Sequence, residues 1–199
     1  IHDAILRFKK QYNKKVIVVG DDMLTSGAYL IATAADKIYT NQDTITGSIG
    51  VIMASFDLTD LIKKIGITRR VFTAGTHKDR LDPFKPMSVN DKKKINDLLN
   101  ATHQHFIQYV ETSRGEKIKN DDKTSLFSGD FWSGEQALKL GLIDHIGNVE
   151  QAANNELNTK IIVDYTKPPS FLHQFLAGVE SSVHLSGETN HPQLMAILR

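Results

Sequence analysis

The chain has 199 residues, which corresponds to one domain at roughly 150 residues per domain. Lys and Arg number 24 and Asp and Glu number 23, so the net charge is only +1. That balance argues against a protein held on nucleic acid by a general basic field. Hydrophobic residues make up 40% and charged residues 24%, as in a globular domain rather than a disordered chain. Because cysteine is absent, disulfides, thiol catalysis and cysteine metal sites are excluded.

The apolar stretches of the sequence are short. The longest cover residues 16–19 and 27–35, far below the roughly 20 residues of a membrane helix. The chain opens at Ile1 inside a helical pattern and without a signal-peptide pattern. We therefore expect an upstream part, outside this sequence, to carry any membrane anchor. We expect one domain over residues 1–178 and a tail over residues 179–199 that is mobile or forms an interface.

In the first half of the chain, hydrophobic periodicity alternates between strand and helix patterns. The β-branched run at residues 15–20 is typical of a strand buried in a parallel sheet. The small side chains of residues 26–35 suit a helix that packs closely on its neighbours. In chain order we predict a helix at 3–12, a strand at 15–20, a turn at 21–25, a helix at 26–35, strands at 37–40 and 50–54, a helix at 57–65 and a strand at 68–73.

The second half contains longer helical patterns. A loop over residues 75–87 contains two prolines, and Ser88 is placed to cap a long helix that runs to about residue 113. We further predict helices at 133–140, 149–157 and 171–176 and a strand at 161–165. The alternation of strands and helices predicts an α/β fold with a largely parallel sheet.

The sequence lacks most of the motifs that indicate a particular catalytic or binding chemistry. There is no Walker loop, dinucleotide-binding glycine motif, His-Glu-x-x-His or Gly-x-Ser-x-Gly. His103 and His105 stand two apart on a predicted helix and therefore point to different faces, which favours solvated or partly packed side chains. The lysine run at residues 92–94 is better explained as a solvated helix face.

Ser26 stands where a turn meets the start of a helix. A helix N-terminus carries a partial positive charge and unpaired N–H groups, and the Gly27 N–H is placed to stabilise an oxyanion formed at Ser26. These features suit a nucleophile. The alternative is that Ser26 only caps the helix, a common role of serine, and local sequence alone favours this second interpretation.

Five segments of the chain form an ordered set of motifs. They are Ser26-Gly27-Ala28-Tyr29-Leu30, Ala35-Asp36-Lys37-Ile38, Gly47-Ser48-Ile49-Gly50-Val51, Thr73-Ala74-Gly75-Thr76-His77-Lys78, and Ser128-Gly129-Asp130-Phe131-Trp132 followed by Gly141-Leu142-Ile143-Asp144. In this order, over about residues 15–147, they resemble the signal peptide peptidase A/SohB family of bacterial serine proteases, the SohB-like branch most closely.

The resemblance implies a serine–lysine dyad on a ClpP/crotonase-type fold of repeated ββα units. By motif, Ser26 is the nucleophile, Lys78 the general base, and Ser48 a serine that orients the lysine. Two departures stay small in volume and leave the dyad untouched: Ala28 replaces the family's second glycine, and residues 24–25 replace an Ala-Ala pair. The family's second oxyanion donor belongs to a Pro-Gly-Gly segment upstream of these residues.

The proposed base must be a neutral amine. The ordinary lysine pKa of about 10.4 must fall toward 7–8 for this role, and burial lowers it. The neighbours of Lys78 are polar: pairing with Asp79 would raise the lysine pKa, and Arg80 would lower it. We therefore expect desolvation by bound substrate or by a neighbouring subunit. The resemblance implies a homo-oligomeric ring or dome in which subunits complete each other's sites.

The resulting hypothesis is a membrane-associated bacterial serine endopeptidase that cuts hydrophobic peptides, such as remnant signal peptides, through an acyl-enzyme. It implies the inner membrane, a periplasmic catalytic domain, peptide substrates, no nucleic acid, and no metal or other cofactor. Two alternatives stay open. One is a crotonase-fold enzyme acting on acyl-coenzyme A thioesters, because oxyanion stabilisation serves both chemistries. The other is a non-catalytic assembly module.

Overall fold

The computed structural model describes residues 1–119 and 123–166. Helices and strands alternate along the chain, so the predicted α/β class is confirmed. The helices are α1 (His2–Tyr12), α2 (Ser26–Ala32), α3 (Thr59–Lys64), α4 (Val89–Arg114), α5 (Lys123–Leu126), α6 (Gly134–Leu140) and α7 (Val149–Leu157). The strands are β1 (Ile17–Gly20), β2 (Met23–Thr25), β3 (Lys37–Thr40), β4 (Ile45–Gly47), β5 (Phe131–Trp132) and β6 (His145–Ile146).

The strands form two three-stranded sheets, with orders β1-β3-β6 and β2-β4-β5. Each consecutive pair of strands, β1 and β2, then β3 and β4, then β5 and β6, gives one strand to each sheet. All strand pairs are parallel except β4 with β5. Repeated strand pairs shared between two sheets, with α2 following the first pair, are the ββα arrangement that the resemblance implies.

The main core lies beneath α2. Tyr29 of α2 is fully buried, together with Ile38, Ile49 and Leu142. The Tyr29 hydroxyl donates a hydrogen bond to the Leu142 carbonyl oxygen over 2.7 Å, and burial raises the pKa of this phenol above its ordinary range. Burial of large apolar side chains is the main stabilising contribution, so the helix that begins at Ser26 is anchored from below.

Helix ends follow the sequence signals closely. The Ser88 hydroxyl accepts from the Asp91 N–H and the Asp91 carboxylate accepts from the Ser88 N–H, which forms a capping box at the start of α4. Gly141 ends α6 with φ of 82°, a left-handed conformation that favours glycine. Both ends were predicted from the sequence.

Several predicted elements differ in the structure. The segment at 21–25 contains strand β2 rather than only a turn, and α2 ends at Ala32 instead of residue 35. The predictions of strands at 50–54, 68–73 and 161–165 are wrong, because none of these segments forms a strand in the described chain. A strand requires a hydrogen-bonded neighbour, and these apolar runs have none in the described part of this chain.

Two predictions concern residues that the structure does not describe. The helix predicted at 171–176 and the tail at 179–199 lie outside the described residues. No helix within residues 1–119 and 123–166 is long and apolar enough to cross a membrane.

Candidate active site

Two serines lie side by side at the ends of neighbouring strands. Strands β2 and β4 are parallel and their register pairs Thr25 with Gly47. The next residues are Ser26 and Ser48, which therefore leave the same edge of the sheet. Both have a positive φ, 50° for Ser26 and 51° for Ser48. The structure thus brings together two of the three side chains that the motifs single out.

The positive φ values mark backbone strain at this edge. A non-glycine residue in the left-handed region costs on the order of 1–3 kcal/mol, and such residues cluster at active sites. Hydrogen bonds hold the Ser48 conformation: its N–H donates to the Asp130 carbonyl oxygen over 2.7 Å, and the Gly50 N–H donates to the Ser48 carbonyl oxygen over 2.9 Å. The strain is therefore maintained by the surrounding fold.

The interpretation of Ser26 as a simple helix cap is wrong. The N-cap of α2 is Thr25, which has an extended backbone, and no side-chain capping hydrogen bond forms there. Ser26 is the first helical residue and is exposed. Within the described residues its hydroxyl forms no hydrogen bond. Local structure thus leaves the Ser26 hydroxyl free for another role.

The segment that carries Ser48 is closely packed on both sides. Gly47 has φ of 103°, and a Cβ added to it would lie 2.6 Å from Cε3 of Trp132. A Cβ on Gly50 would lie 2.8 Å from the Cα of Gly129. These approaches explain why glycine flanks Ser48 in the sequence. They also explain how the distant segment at 128–132 belongs to the same site.

A cavity of about 830 Å³ opens at the two serines. Most of its wall is apolar, and a polar patch is formed by serines and glycine backbone. Its lining residues are Ser26, Gly27, Leu30, Ser48, Gly50, Val51, Ile52, Thr102, His105, Phe106, Tyr109, Ser128 and Gly129. Gly27, the predicted oxyanion donor, is exposed beside Ser26. The cavity thus joins an apolar wall to the exposed Ser26 hydroxyl and the Gly27 backbone.

One wall of the cavity was missed by sequence reasoning. Thr102, His105, Phe106 and Tyr109 of α4 line it. Their i, i+3, i+4, i+7 spacing places them on a common helix face, and this spacing is the signal that could have found them. His103 is partly buried, as predicted, and its Nε2 lies 3.0 Å from the Ile49 carbonyl oxygen. This contact fastens α4 to the segment that follows Ser48.

Lys78 lies in a different place from the two serines. It is exposed in a turn within residues 74–81 and lines a separate cavity of about 320 Å³ with Arg69, Asp79 and Asp82. Within one described chain, the cavity at Ser26 and Ser48 is not lined by Lys78. The assignment of Lys78 as the base of Ser26 stays a prediction.

Comparison with known proteins decides the family. The sequence profile described as peptidase family S49 matches residues 8–161. This chain belongs to peptidase family S49. The S49 chain is 40% identical to the Na(+)/H(+) antiporter NhaA of Brucella abortus (strain 2308) over 168 residues. It is 31% identical to the serine protease SPPA, chloroplastic, of Arabidopsis thaliana over 182 residues. It is 30% identical to the probable protease SohB of Buchnera aphidicola over 172 residues.

These alignments cover 84%, 85% and 85% of the S49 chain, but only 23%, 26% and 50% of the three relatives in the same order. The chain therefore spans half or less of the length of these relatives. Among solved structures, an enoyl-CoA hydratase/isomerase family member aligns over 90% of this chain and 42% of its own, with 15% identity and a TM-score of 0.35. At that score the likeness supports no conclusion about activity. The family assignment confirms the resemblance that the motifs indicated.

Proposed function

We propose that this chain forms a serine endopeptidase site with Ser26 as nucleophile and Lys78 as general base, cleaving hydrophobic peptides through an acyl-enzyme. The observation that carries the proposal is the pairing of Ser26 with Ser48 at adjacent strand ends, in an apolar cavity, with the Ser26 hydroxyl uncommitted to the fold. A nucleophilic serine needs a base and an oxyanion donor. The motifs provide Lys78 and the Gly27 N–H for these two roles.

The reaction follows from these groups. The neutral Lys78 amine takes the Ser26 hydroxyl proton as Oγ attacks the peptide carbonyl, and the Gly27 N–H donates to the oxyanion. The lysine then returns the proton to the leaving amine as the C–N bond breaks, which leaves an ester on Ser26. Water attacks the ester with Lys78 again accepting the proton, and Lys78 returns that proton to Ser26 Oγ as the ester C–O bond breaks, which frees the serine and the neutral lysine. Ser48 orients the lysine.

The substrate class follows from the cavity wall. Leu30, Val51 and Phe106 present apolar surface beside the serines, and burial of matching apolar side chains favours binding. We propose that a peptide lies extended along the edge where β2 ends, with small apolar residues near the cut. Remnant signal peptides have this character.

The location of Ser26 and Lys78 in different cavities supports assembly. Ser26 and Lys78 line separate cavities in one chain, and the segment between β4 and α4 exposes Ile52 at 87%, Phe56 at 82% and Phe72 at 92%. Contiguous exposed apolar surface marks interaction sites. We propose a ring- or dome-like homo-oligomer in which Lys78 of one subunit approaches Ser26 of the next. We also propose that it acts at the bacterial inner membrane with the site in the periplasm.

The test uses the full-length protein and a fluorogenic hydrophobic peptide. Ser26→Ala and Lys78→Ala should each abolish turnover, and the double variant should be no worse than either one, because groups that act as a unit are lost together. Lys93→Ala is the matched control, since Lys93 is exposed on α4 and pairs only with Asp97 among the described residues. Circular dichroism checks that each variant folds.

A serine-directed phosphonate should label Ser26, as mapped by mass spectrometry. Substantial turnover by Lys78→Ala near neutral pH would remove lysine from the mechanism. Labelling that is absent in an active wild-type protein would remove Ser26 and favour an acyl-coenzyme A enzyme or another chemistry on the same fold.

A further inference from the structure

The cavity around Lys78 contains two carboxylates, and each of them binds a different cation. Asp79 Oδ2 accepts a hydrogen bond from Lys85 Nζ over 2.8 Å, and Asp82 pairs with Arg69. Among the described residues Lys78 itself forms no ion pair. The side chain of Asp82 is buried and that of Asp79 is mostly so, with 7% and 22% exposed. Lys78 is thus the one lysine of this cavity wall, with both nearby acids already neutralised.

The other charged or titratable side chains around Lys78 are those of Arg80, His77 and Arg69. Arg80 donates from Nε to Asp91 over 2.6 Å at the start of α4, so its charge is compensated there. His77 is exposed and forms no ion pair in the described part of the chain. Arg69 is further fixed by stacking over the Phe84 ring, at 5.0 Å from its centroid. Both acids that line the cavity with Lys78 are therefore paired with other cations, and Arg80 is paired with Asp91.

This distribution of charge matters for a lysine that must act as a base. A carboxylate beside an ammonium stabilises the charged form and opposes loss of the proton. Asp79 is the acid next to Lys78 in the chain and lines the same cavity. The Lys85 hydrogen bond lowers the pKa of Asp79, so this carboxylate is ionised at neutral pH. Without Lys85, the Asp79 carboxylate would lose this partner beside Lys78, its neighbour in the chain and on the cavity wall.

We infer that Lys85 is a positioning residue for the proposed reaction: by holding Asp79, it leaves Lys78 without a carboxylate partner that would stabilise its ammonium form, so that desolvation at the assembled site can release the lysine proton. This inference rests on the proposed function, since it concerns the same lysine. In this role Lys85 needs to contact neither the substrate nor Ser26.

The experiment compares pH profiles of kcat/KM for the full-length protein with the fluorogenic peptide. In Lys85→Met the freed Asp79 pairs with Lys78 and favours its ammonium form. The acidic limb should then move to higher pH by roughly half to one unit, a loss of about three- to ten-fold on that limb. At high pH the rate should return to the wild-type plateau, with KM unchanged.

Three companion variants isolate the cause. Lys85→Arg keeps the cation and should keep the wild-type profile. Asp79→Asn in the Lys85→Met background should restore that profile, because the competing charge is gone. Lys93→Met breaks an exposed ion pair of the same 2.8 Å length with Asp97 and should leave the profile unchanged.

The outcomes separate this inference from the proposed function. An unshifted profile in Lys85→Met, with Lys78→Ala inactive, overturns the role of Lys85 and leaves the dyad intact. A shift that persists when Asp79 is also replaced shows a distorted loop and overturns the inference as well. Full activity of Lys78→Ala would overturn the proposed function itself.

Discussion

Asp144 has two cationic partners at equal distance from its carboxylate but of unequal burial. Comparing the removal of each partner tests how much burial contributes to the free energy of unfolding. Arg114 Nη1 and Lys117 Nζ each lie 2.8 Å from an oxygen of Asp144. The Arg114 side chain is 3% exposed and the Lys117 side chain 45%. Arg114 also donates to the Gly141 carbonyl oxygen over 3.1 Å and 2.8 Å. This cluster supports the loop to which Tyr29 is hydrogen-bonded.

The two partners should therefore differ in what their removal costs. Arg114→Met leaves a buried carboxylate with only Lys117 and the Ile38 N–H, and it leaves the Gly141 carbonyl oxygen without that partner. Breaking a buried pair costs about 3–5 kcal/mol, and the remaining lysine places the loss near 3 kcal/mol. Lys117→Met removes a half-exposed partner and should cost less than about 1 kcal/mol.

The pH dependence gives an independent measure of the same cluster. Burial opposes ionisation of Asp144, but hydrogen bonds from Arg114 and Lys117 outweigh it and lower the pKa from 3.8 to about 2. A depressed carboxyl pKa contributes stability that is present above about pH 4 and is lost as the pH falls toward 2. The shift corresponds to about 2 kcal/mol. The difference in unfolding free energy between wild type and Arg114→Met should therefore narrow as the pH falls from about 4 toward 2.

The assay is urea unfolding of both variants at several pH values, followed by circular dichroism and by fluorescence of the single tryptophan. Equal losses for Arg114→Met and Lys117→Met at pH 7 would refute the reasoning, because distance rather than burial would then set the energy. A gap that stays constant between pH 4 and pH 2 would refute the assignment to Asp144.

Three further predictions concern the site. Ser48→Ala should lower kcat, but less than loss of the dyad, by an amount equivalent to about 1–3 kcal/mol with KM little changed; wild-type turnover would exclude Ser48 from the site. Gly47→Ala should cost about 2 kcal/mol in unfolding free energy, because its Cβ meets the Trp132 ring at 2.6 Å; unchanged urea unfolding would contradict this packing. Mixing Ser26→Ala with Lys78→Ala protein should restore part of the activity if sites form between subunits, whereas mixed oligomers without activity would mean that each dyad forms within one chain.

Most of the helices and the two longest strands were predictable because their signals are local, whereas the four-residue helix α5 was not predicted. Strand β1 (Ile17–Gly20) is a continuous β-branched run, and α7 has the predicted bounds. The capping box of Ser88 and Asp91 and the left-handed Gly141 mark helix ends through single residues. Such features depend on interactions within a few positions of the chain, so one sequence is enough to reveal them.

The short strands that build the site were not predictable in the same way. Strands β2 and β4 have three residues each, too few to show alternation, and their pairing joins Thr25 to Gly47 across the chain. The family motifs singled out Ser26 and Ser48, but only the parallel register explains why they lie at the same sheet edge. In the same way, the α4 face at Thr102 and Tyr109 resembles an ordinary core face until the cavity is seen.

The wrongly predicted strands share one feature: they lack a partner strand in the described chain. Residues 50–54 and 68–73 contain apolar and β-branched side chains but pair with no strand in the described chain; the exposed Phe56 lies between the two segments and the exposed Phe72 lies within the second. Apolar, strand-like segments that lack a partner are poorly stabilised in water and are completed by another surface. The Lys78 turn directly follows one of these segments. A contact that orders residues 68–73 would therefore also position the proposed base, so that assembly and catalysis would depend on the same surface.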